Sequence, residues 1–479
     1  MQIRKKNNYQ PKKMVLRKFR WATTAALMNA MTVGLTSTYS STAIESMRAG
    51  KLNIDDSEAS WIGSILPLGA IIGGIVAGWL SDRIGRKGVM VYQALFLVAG
   101  WLMIAYANSL SLIYAGRFIT GLCSGLICVV TPMYIVEIST SETRGDLGTR
   151  FQLFICSGII TSSVCGKFLP WQWVAIVGGI VGFLALLAII TVPESPQWLV
   201  MKNQRAAAVH AVNFLYGSTN DPSVNELVNE SFSLASSQNK LAPREIILPT
   251  IYKPALLSIG LMFFQQFSGS NAILYYTVSI FKQASSSIDP AMGFLWVALV
   301  MYWFTFLTSR IIDIIGRKKS LYISGFITFI SMAAMGIYLF LCTQNPTLKK
   351  TFGWVPLLCL IVYIAGFSIG LGPIPWLMMS EMSPIRGRSL ICGLGTAFSW
   401  LFVFIITKTF LQIEDLVGDF GAYWIYSGFC LLACFFTLYF IPETKGKSLE
   451  EIENHFAGGD PQLKPLPELS NEELAVQDN

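Results

Sequence analysis

Charge is scarce in this chain. Only 13% of its 479 residues are charged while 53% are apolar, and the mean hydropathy is +0.54. Soluble domains carry roughly a quarter charged residues, so a water-soluble fold of this length is excluded. Histidine is nearly absent. His210 and His455 are the only two, and both lie in polar stretches. A histidine-based catalytic centre in the apolar part is thereby excluded, and no nucleophile–base or metal constellation takes its place. None of the 9 cysteines (Cys123, Cys128, Cys156, Cys165, Cys342, Cys359, Cys392, Cys430 and Cys434) sits in a CxxC pair. All lie in or beside apolar runs, which favours small packing side chains over disulfides or metal ligands. No Asp or Glu falls deep in any apolar run, and the first run has none before Glu45. A cleavable leader is not expected, because residues 1–20 are polar and basic and the first apolar run is too long for an h-region.

What the chain does have is long apolar runs. They fall at 21–44, 59–81, 88–107, 110–136, 147–169 and 171–192, then at 251–282, 291–312, 320–343, 354–380, 389–411 and 421–441. About twenty apolar residues span a bilayer as a helix, and inside lipid the backbone must satisfy itself. The fold class is therefore an all-α membrane protein with twelve transmembrane helices. The domain plan is an N-terminal tail (1–20), a six-helix bundle (21–192), a linker with short helices (193–250), a second six-helix bundle (251–441) and a C-terminal tail (442–479). Within the linker, residues 197–217 read as an amphipathic helix lying on the bundle.

Orientation follows from the basic residues. Of the 35 Lys and Arg, one side takes only Arg48, Lys51, Lys167, Lys282, Lys349, Lys350 and Lys408, and Arg117 falls inside a span. All the others fall on the side of the two tails and the linker. The expected topology puts both termini in the cytosol of a multi-pass protein of the plasma membrane. The sequon at Asn229 then lies on the cytosolic side and stays unglycosylated.

The sequence repeats itself. Asp82 precedes Gly85-Arg86-Lys87, and Asp313 precedes Gly316-Arg317-Lys318. Glu137 and Arg144 are matched by Glu381 and Arg388. Pro193-Glu194-Ser195 ends the sixth run, and Pro442-Glu443-Thr444 ends the twelfth. Two pseudo-symmetric halves of the same orientation are implied, an architecture used by transporters. The recurring charges (Asp82, Arg83, Arg86, Glu137, Arg144 and Arg150; Asp313, Arg317, Glu381, Arg386 and Arg388) combine ordinary interfacial charge with a second expectation. Arg–carboxylate ties at one end of the bundle would hold that end shut.

Two polar features lie at membrane depth. The seventh run carries Gln265-Gln266-Phe267-Ser268-Gly269-Ser270-Asn271, then Tyr275 and Tyr276. Such amides must face the bundle interior. Interhelical hydrogen bonding accounts for some of them, but a cluster of neutral donors and acceptors also suits a polyhydroxylated ligand. Gln152 on the fifth run is similar. The tenth run contains Gly370-Leu371-Gly372-Pro373-Ile374-Pro375-Trp376, a concentration of helix breakers expected only beside a cavity. Trp376 and Trp400 sit well inside their spans, where an interfacial-belt role fits poorly and stacking on the apolar face of a sugar ring is the expectation. Glycines 69, 73, 74 and 78 with 121 and 125 read as close helix packing. Arg117 has no acidic partner in view.

The motifs GWLSDRIGRK (78–87), AGRF (115–118), PMYIVE with TRG (132–145), PESPQWL (193–199), QQFSGSN (265–271), GPIPW (372–376) and PETKG (442–446) resemble the sugar porter family of the major facilitator superfamily. The resemblance runs over nearly the whole chain. Within that family the pattern is most similar to the insect facilitated trehalose transporter group. It implies the major facilitator fold. It also implies that Gln152, Gln265, Gln266, Asn271 and Trp376 line a sugar site with Phe367 and Trp400 nearby. Tyr275 and Tyr276 would belong to the extracellular gate, and the charge set to the cytosolic one. Hexose carriers of the family usually have Glu where this chain has Ser368, and Asn in the eighth helix where it has Met301. Proton symporters carry Asp at a first-helix position that aligns with Ser40.

The expected function is passive, alternating-access transport of a neutral sugar, trehalose before glucose or another hexose. A proton-coupled sugar or polyol symporter is the alternative, and a non-transporting sensor is disfavoured by the short tail. The expected partners are the sugar and the lipid bilayer. Neither a cofactor nor a nucleic acid is expected.

Overall fold

The computed structural model describes residues 13–48, 54–139, 144–217, 247–284, 289–345, 347–384, 387–447 and 449–457, and the described elements are helical. The first half comprises α1 (Lys13–Arg48), α2 (Asp56–Ile84), α3 (Arg86–Ala105), α4 (Leu110–Ile138), α5 (Arg144–Phe168) and α6 (Trp171–Ile190). Two short helices, α7 (Pro196–Met201) and α8 (Arg205–Tyr216), follow it. The second half comprises α9 (Pro249–Phe267), α10 (Ser270–Ala284), α11 (Pro290–Ile315), α12 (Arg317–Gln344), α13 (Leu348–Thr351), α14 (Val355–Ile369), α15 (Ile374–Met382) and α16 (Arg388–Phe440). Helix α17 (Leu449–Ala457) closes the described chain.

Among the described residues, 10 helices or joined helices are long and apolar enough to cross a membrane. The other two expected spans fall short for physical reasons. Helix α1 is diluted by threonine and serine, and the seventh span is cut in two at Gly269, whose φ is +89°. The tenth span is likewise cut, between α14 and α15. The eleventh and twelfth spans, both within α16, are two helices that meet directly at Gly418, whose φ of 76° is non-helical, so the connection expected at 412–420 is reduced to that residue.

Helices α2 and α4 pack backbone to backbone. A Cβ on Gly121 would lie 2.1 Å from the Leu66 carbonyl oxygen, and one on Gly125 would lie 2.2 Å from that of Ala70. The small-residue spacing is thus a packing device at 69, 73, 121 and 125. Gly74 instead lies beside Thr396 and Ala397 of the other half, and Gly78 meets nothing within 4 Å. The halves meet chiefly along two seams, α2 with α16 and α5 with α11, and α1 also packs on α10.

The expected linker helix is two pieces. The apolar face of α8 (Ala208, Ala211, Val212 and Leu215) is buried, and Tyr216 stacks on Phe19 of α1 at 5.6 Å. Helix α17 packs on α9 and α15 through Ile452 and Phe456. The sequon at Asn229 lies outside the described residues.

Candidate functional site

The two breaks in the second half meet. Gly372 donates to the Phe367 carbonyl at 2.8 Å, and Pro373 and Pro375 have no N–H to give, so carbonyls at the α14–α15 break lose their helical donors. The Gln265 side chain supplies the replacement. Its Nε2 donates to the Leu371 carbonyl at 2.8 Å and to the Gly372 carbonyl at 2.7 Å. Leu371 N in turn donates to Ser324 Oγ at 2.9 Å. The α9–α10 break is braced by Ser268, whose Oγ donates to the Gln265 carbonyl at 2.7 Å, and by Tyr363, whose hydroxyl donates to the Ser268 carbonyl at 3.0 Å.

From Gln265 an amide chain runs outward. Gln266 Nε2 donates to Ser399 Oγ at 2.8 Å, and Asn271 Nδ2 donates to Gln266 Oε1. Gln265 and Gln266 are buried, Asn271 is half-buried, and Trp400 is buried beside Ser399 with its indole N–H unpartnered. Phe367 is buried and stacks on Tyr363 at 6.2 Å. Trp376 is half-buried against the apolar group of Met262, Met379 and Ile391. Gln265, Gln266, Asn271, Phe367 and Trp400 are therefore brought together around the two breaks. Gln152 stands on the opposite half, half-buried and one turn from Cys156, whose Sγ lies 3.8 Å from Thr305 Oγ1 of α11.

At the basic end, where most Lys and Arg lie, the repeated motifs fold into the same cluster twice. Arg86 pairs with Glu137 at 2.9 Å and reaches Asp82 at 3.4 Å, and Ser195 donates to the other oxygen of Glu137. Arg317 pairs with Glu381 at 3.0 Å, and Thr444 donates to Glu381 at 2.6 Å. Glu194 accepts from Lys87 N at 3.0 Å, and Glu443 accepts from Arg317 N at 3.0 Å and Lys318 N at 3.1 Å. Both carboxylates thus sit on helix N-termini, where the dipole favours them. Burial acts to raise the Glu443 carboxyl, but the backbone N–H groups of Lys445, Arg317, Lys318 and Thr444 hold it below its usual range. These ties stay within one half. The side chains of Arg144, Asp313, Arg386 and Arg388 lie outside the described residues.

The far end holds Arg117, and the structure supplies the partners the sequence withheld. It is fully buried. Its Nη1 donates to the Thr36 carbonyl at 2.6 Å and its Nε to the Ile62 carbonyl at 3.2 Å, and its guanidinium lies 5.6 Å from the Tyr39 ring. Three helices are bolted together through backbone carbonyls. The first-helix residue that meets Arg117 is Thr36, while Ser40 is buried with its hydroxyl unpartnered. Tyr275 is buried in the same region. Tyr276 takes a non-helical conformation (φ −119°, ψ 15°), donates to the Thr407 carbonyl at 3.0 Å and stacks on Phe410 at 5.4 Å. Glu414, expected in a loop, is a buried carboxylate on α16 neighbouring Tyr276, Tyr423 and Tyr426. The helix continues past Phe410, and this carries Glu414 into the packed region between expected runs.

Residues 19–456 match the family model described as sugar (and other) transporter. The chain is 37% identical over 460 residues to the facilitated trehalose transporter Tret1 of Apis mellifera ligustica, covering 93% of this chain and 91% of that one. It is 37% identical over 442 residues to Tret1 of Polypedilum vanderplanki, covering 91% and 88%. Among solved structures it is similar to the proton:xylose symporter XylE bound to 6-bromo-6-deoxy-D-glucose, with a TM-score of 0.78 and 26% identity over 92% of this chain and 99% of that one.

Proposed function

Because the chain belongs to the sugar transporter family, we propose that it carries a neutral sugar passively across the plasma membrane, trehalose before glucose. The observation that carries this reading is the amide chain Gln265–Gln266–Asn271 with Ser399, set against the broken α14–α15 helix. Every group in it is neutral, and each amide both donates and accepts, as a sugar hydroxyl does. Exchanging these bonds for bonds to sugar contributes about 1 kcal/mol net for each. The Trp400 indole N–H offers a further donor. Gln152 supplies the facing amide from the first half, and Phe367 and Trp376 offer apolar faces to the ring.

The basic end faces the cytosol in this reading. The two halves rock about the site. Asp82, Arg86, Glu137 and Arg144, with Asp313, Arg317, Glu381 and Arg388, act as the cytosolic gate. Tyr275 and Tyr276 act in the outer one. Arg117 spends its charge on backbone carbonyls, which supports a carrier without a proton-coupling pair in the first half. Names of the relatives support trehalose as the first substrate.

One observation favours the proton-coupled reading, the buried carboxylate of Glu414 near Tyr276. It lies on the far side of α16 from Ser399 in sequence, more than three helical turns along, outside the amide chain. Uptake of labelled trehalose in competition with glucose, fructose and a polyol tests the substrate. Inhibition by trehalose above the others supports the proposal, and a trehalose-insensitive uptake of hexose defeats it.

A further inference from the structure

Among the described residues, the ion pairs at the basic end tie each half to itself. At the far end, beside the Arg117 ties within the first half, two further ties run between halves. Lys167 Nζ of α5 lies 3.0 Å from Asp289 Oδ2, at the start of α11. Asp289 is also the N-cap of α11, its Oδ1 accepting from Ala291 N at 3.2 Å. Its carboxylate is therefore held in line with the helix, and the helix N-terminus favours its charge. The other seam is tied at the same end. Lys408 Nζ of α16 sits 4.0 Å from the centre of the Trp61 ring of α2, and Ser60 Oγ donates to the Lys408 carbonyl at 3.4 Å.

We propose that Lys167–Asp289 and Lys408–Trp61 are the outer clasps of the carrier. They hold the far ends of the two halves together and must part before sugar is admitted from that side. The inference rests on the alternating-access reading above. The Lys167 and Asp289 side chains are 23% and 54% exposed, so water and salt screen the pair. An exposed pair of this kind shifts an equilibrium only a few-fold. That strength suits a gate. A tie much stronger would trap one state, since a carrier must populate both. The two clasps sit on different seams, so neither half can swing about the other without breaking one.

The test uses the whole chain without sugar. Spin labels at Tyr106 and Phe352, both exposed at the far end and one in each half, report the opening between halves. Asp289→Asn removes the charge but keeps a side-chain oxygen able to cap α11, and Lys167→Gln removes the other partner. Each variant should raise the long-distance population about two- to five-fold, and the double variant should raise it no further. High salt should do the same to the unaltered protein. Half-saturation for external sugar should fall by the same factor, because more carriers face outward. Unchanged distances in both single variants, or additive effects in the double one, would overturn the clasp. Distances that shift in a protein that moves no sugar would leave the clasp standing and defeat the carrier reading instead.

Discussion

The two halves share a plan and differ in how they are built inside. The first half packs on glycine, with α2 and α4 in backbone contact at Gly121 and Gly125, and its α1–α6 run unbroken. It keeps Pro67 and Pro132 within continuous helices. The second half breaks two of its spans, at Gly269 and at Gly370–Pro373, and fills the breaks with Gln265 and Tyr363. The same repeat has thus produced a stiff half and a jointed one. Polar side chains gather where the joints are, because freed carbonyls in a bilayer demand donors. The proposed sugar site follows from the jointed half.

This contrast can be broken from either side. Gly121→Ala should have the largest effect, on stability. Its Cβ would meet backbone rather than a side chain, and such overpacking costs about 3 kcal/mol or more. Thermal unfolding in detergent should show the loss, and a variant as stable as the original would remove glycine packing as the basis of the stiff half. Gly269→Ala should instead act on transport. A left-handed backbone costs alanine about 1–2 kcal/mol, and the new Cβ would press on Tyr426 at 2.9 Å. Uptake should fall at least tenfold while most of the protein still reaches the membrane.

Smaller effects sharpen the comparison. Gln266→Ala or Asn271→Ala should weaken sugar uptake by about a tenfold rise in half-saturation, for one or two lost hydrogen bonds, with surface expression intact. Unchanged uptake would remove the seventh span from the site. The smallest expected effect compares Glu194→Gln with Glu443→Gln, which should cost each half a similar amount, about 1 kcal/mol. The Glu443 carboxyl is held below its usual value in the folded state, so its contribution is present above the unfolded value. It is lost as pH falls through the lowered folded value. The stability gap between the unaltered protein and Glu443→Gln should therefore close in acid.

The spans were legible because lipid imposes length and apolarity, and 10 of them keep both among the described residues. The break in the tenth span was legible too, since two prolines and two glycines cluster there. The break in the seventh was not. It depends on Gly269 alone, and one glycine in an apolar run is ordinary in a membrane helix. The repeated motifs were visible as sequence, but not that Glu194 and Glu443 would sit on the helix N-termini begun at Arg86 and Arg317. That pairing joins residues over 100 positions apart. Arg117 gave no clue to its partners, because backbone carbonyls of Thr36 and Ile62 carry no sequence signature. Ser40 was aligned with the symporters' acidic position, while the residue of α1 that meets Arg117 is Thr36, as the rotation of α1 sets it. The carboxylate of Glu414 was hidden by a helix that runs on to Val417.

The central claim is that a neutral, amide-lined joint carries sugar without proton coupling. Labelled trehalose uptake into proteoliposomes, with an imposed proton gradient and with that gradient collapsed, tests it most directly. The account predicts that internal sugar rises only to the external concentration, equally in both conditions. Accumulation above the external concentration that vanishes when the gradient is collapsed would contradict it.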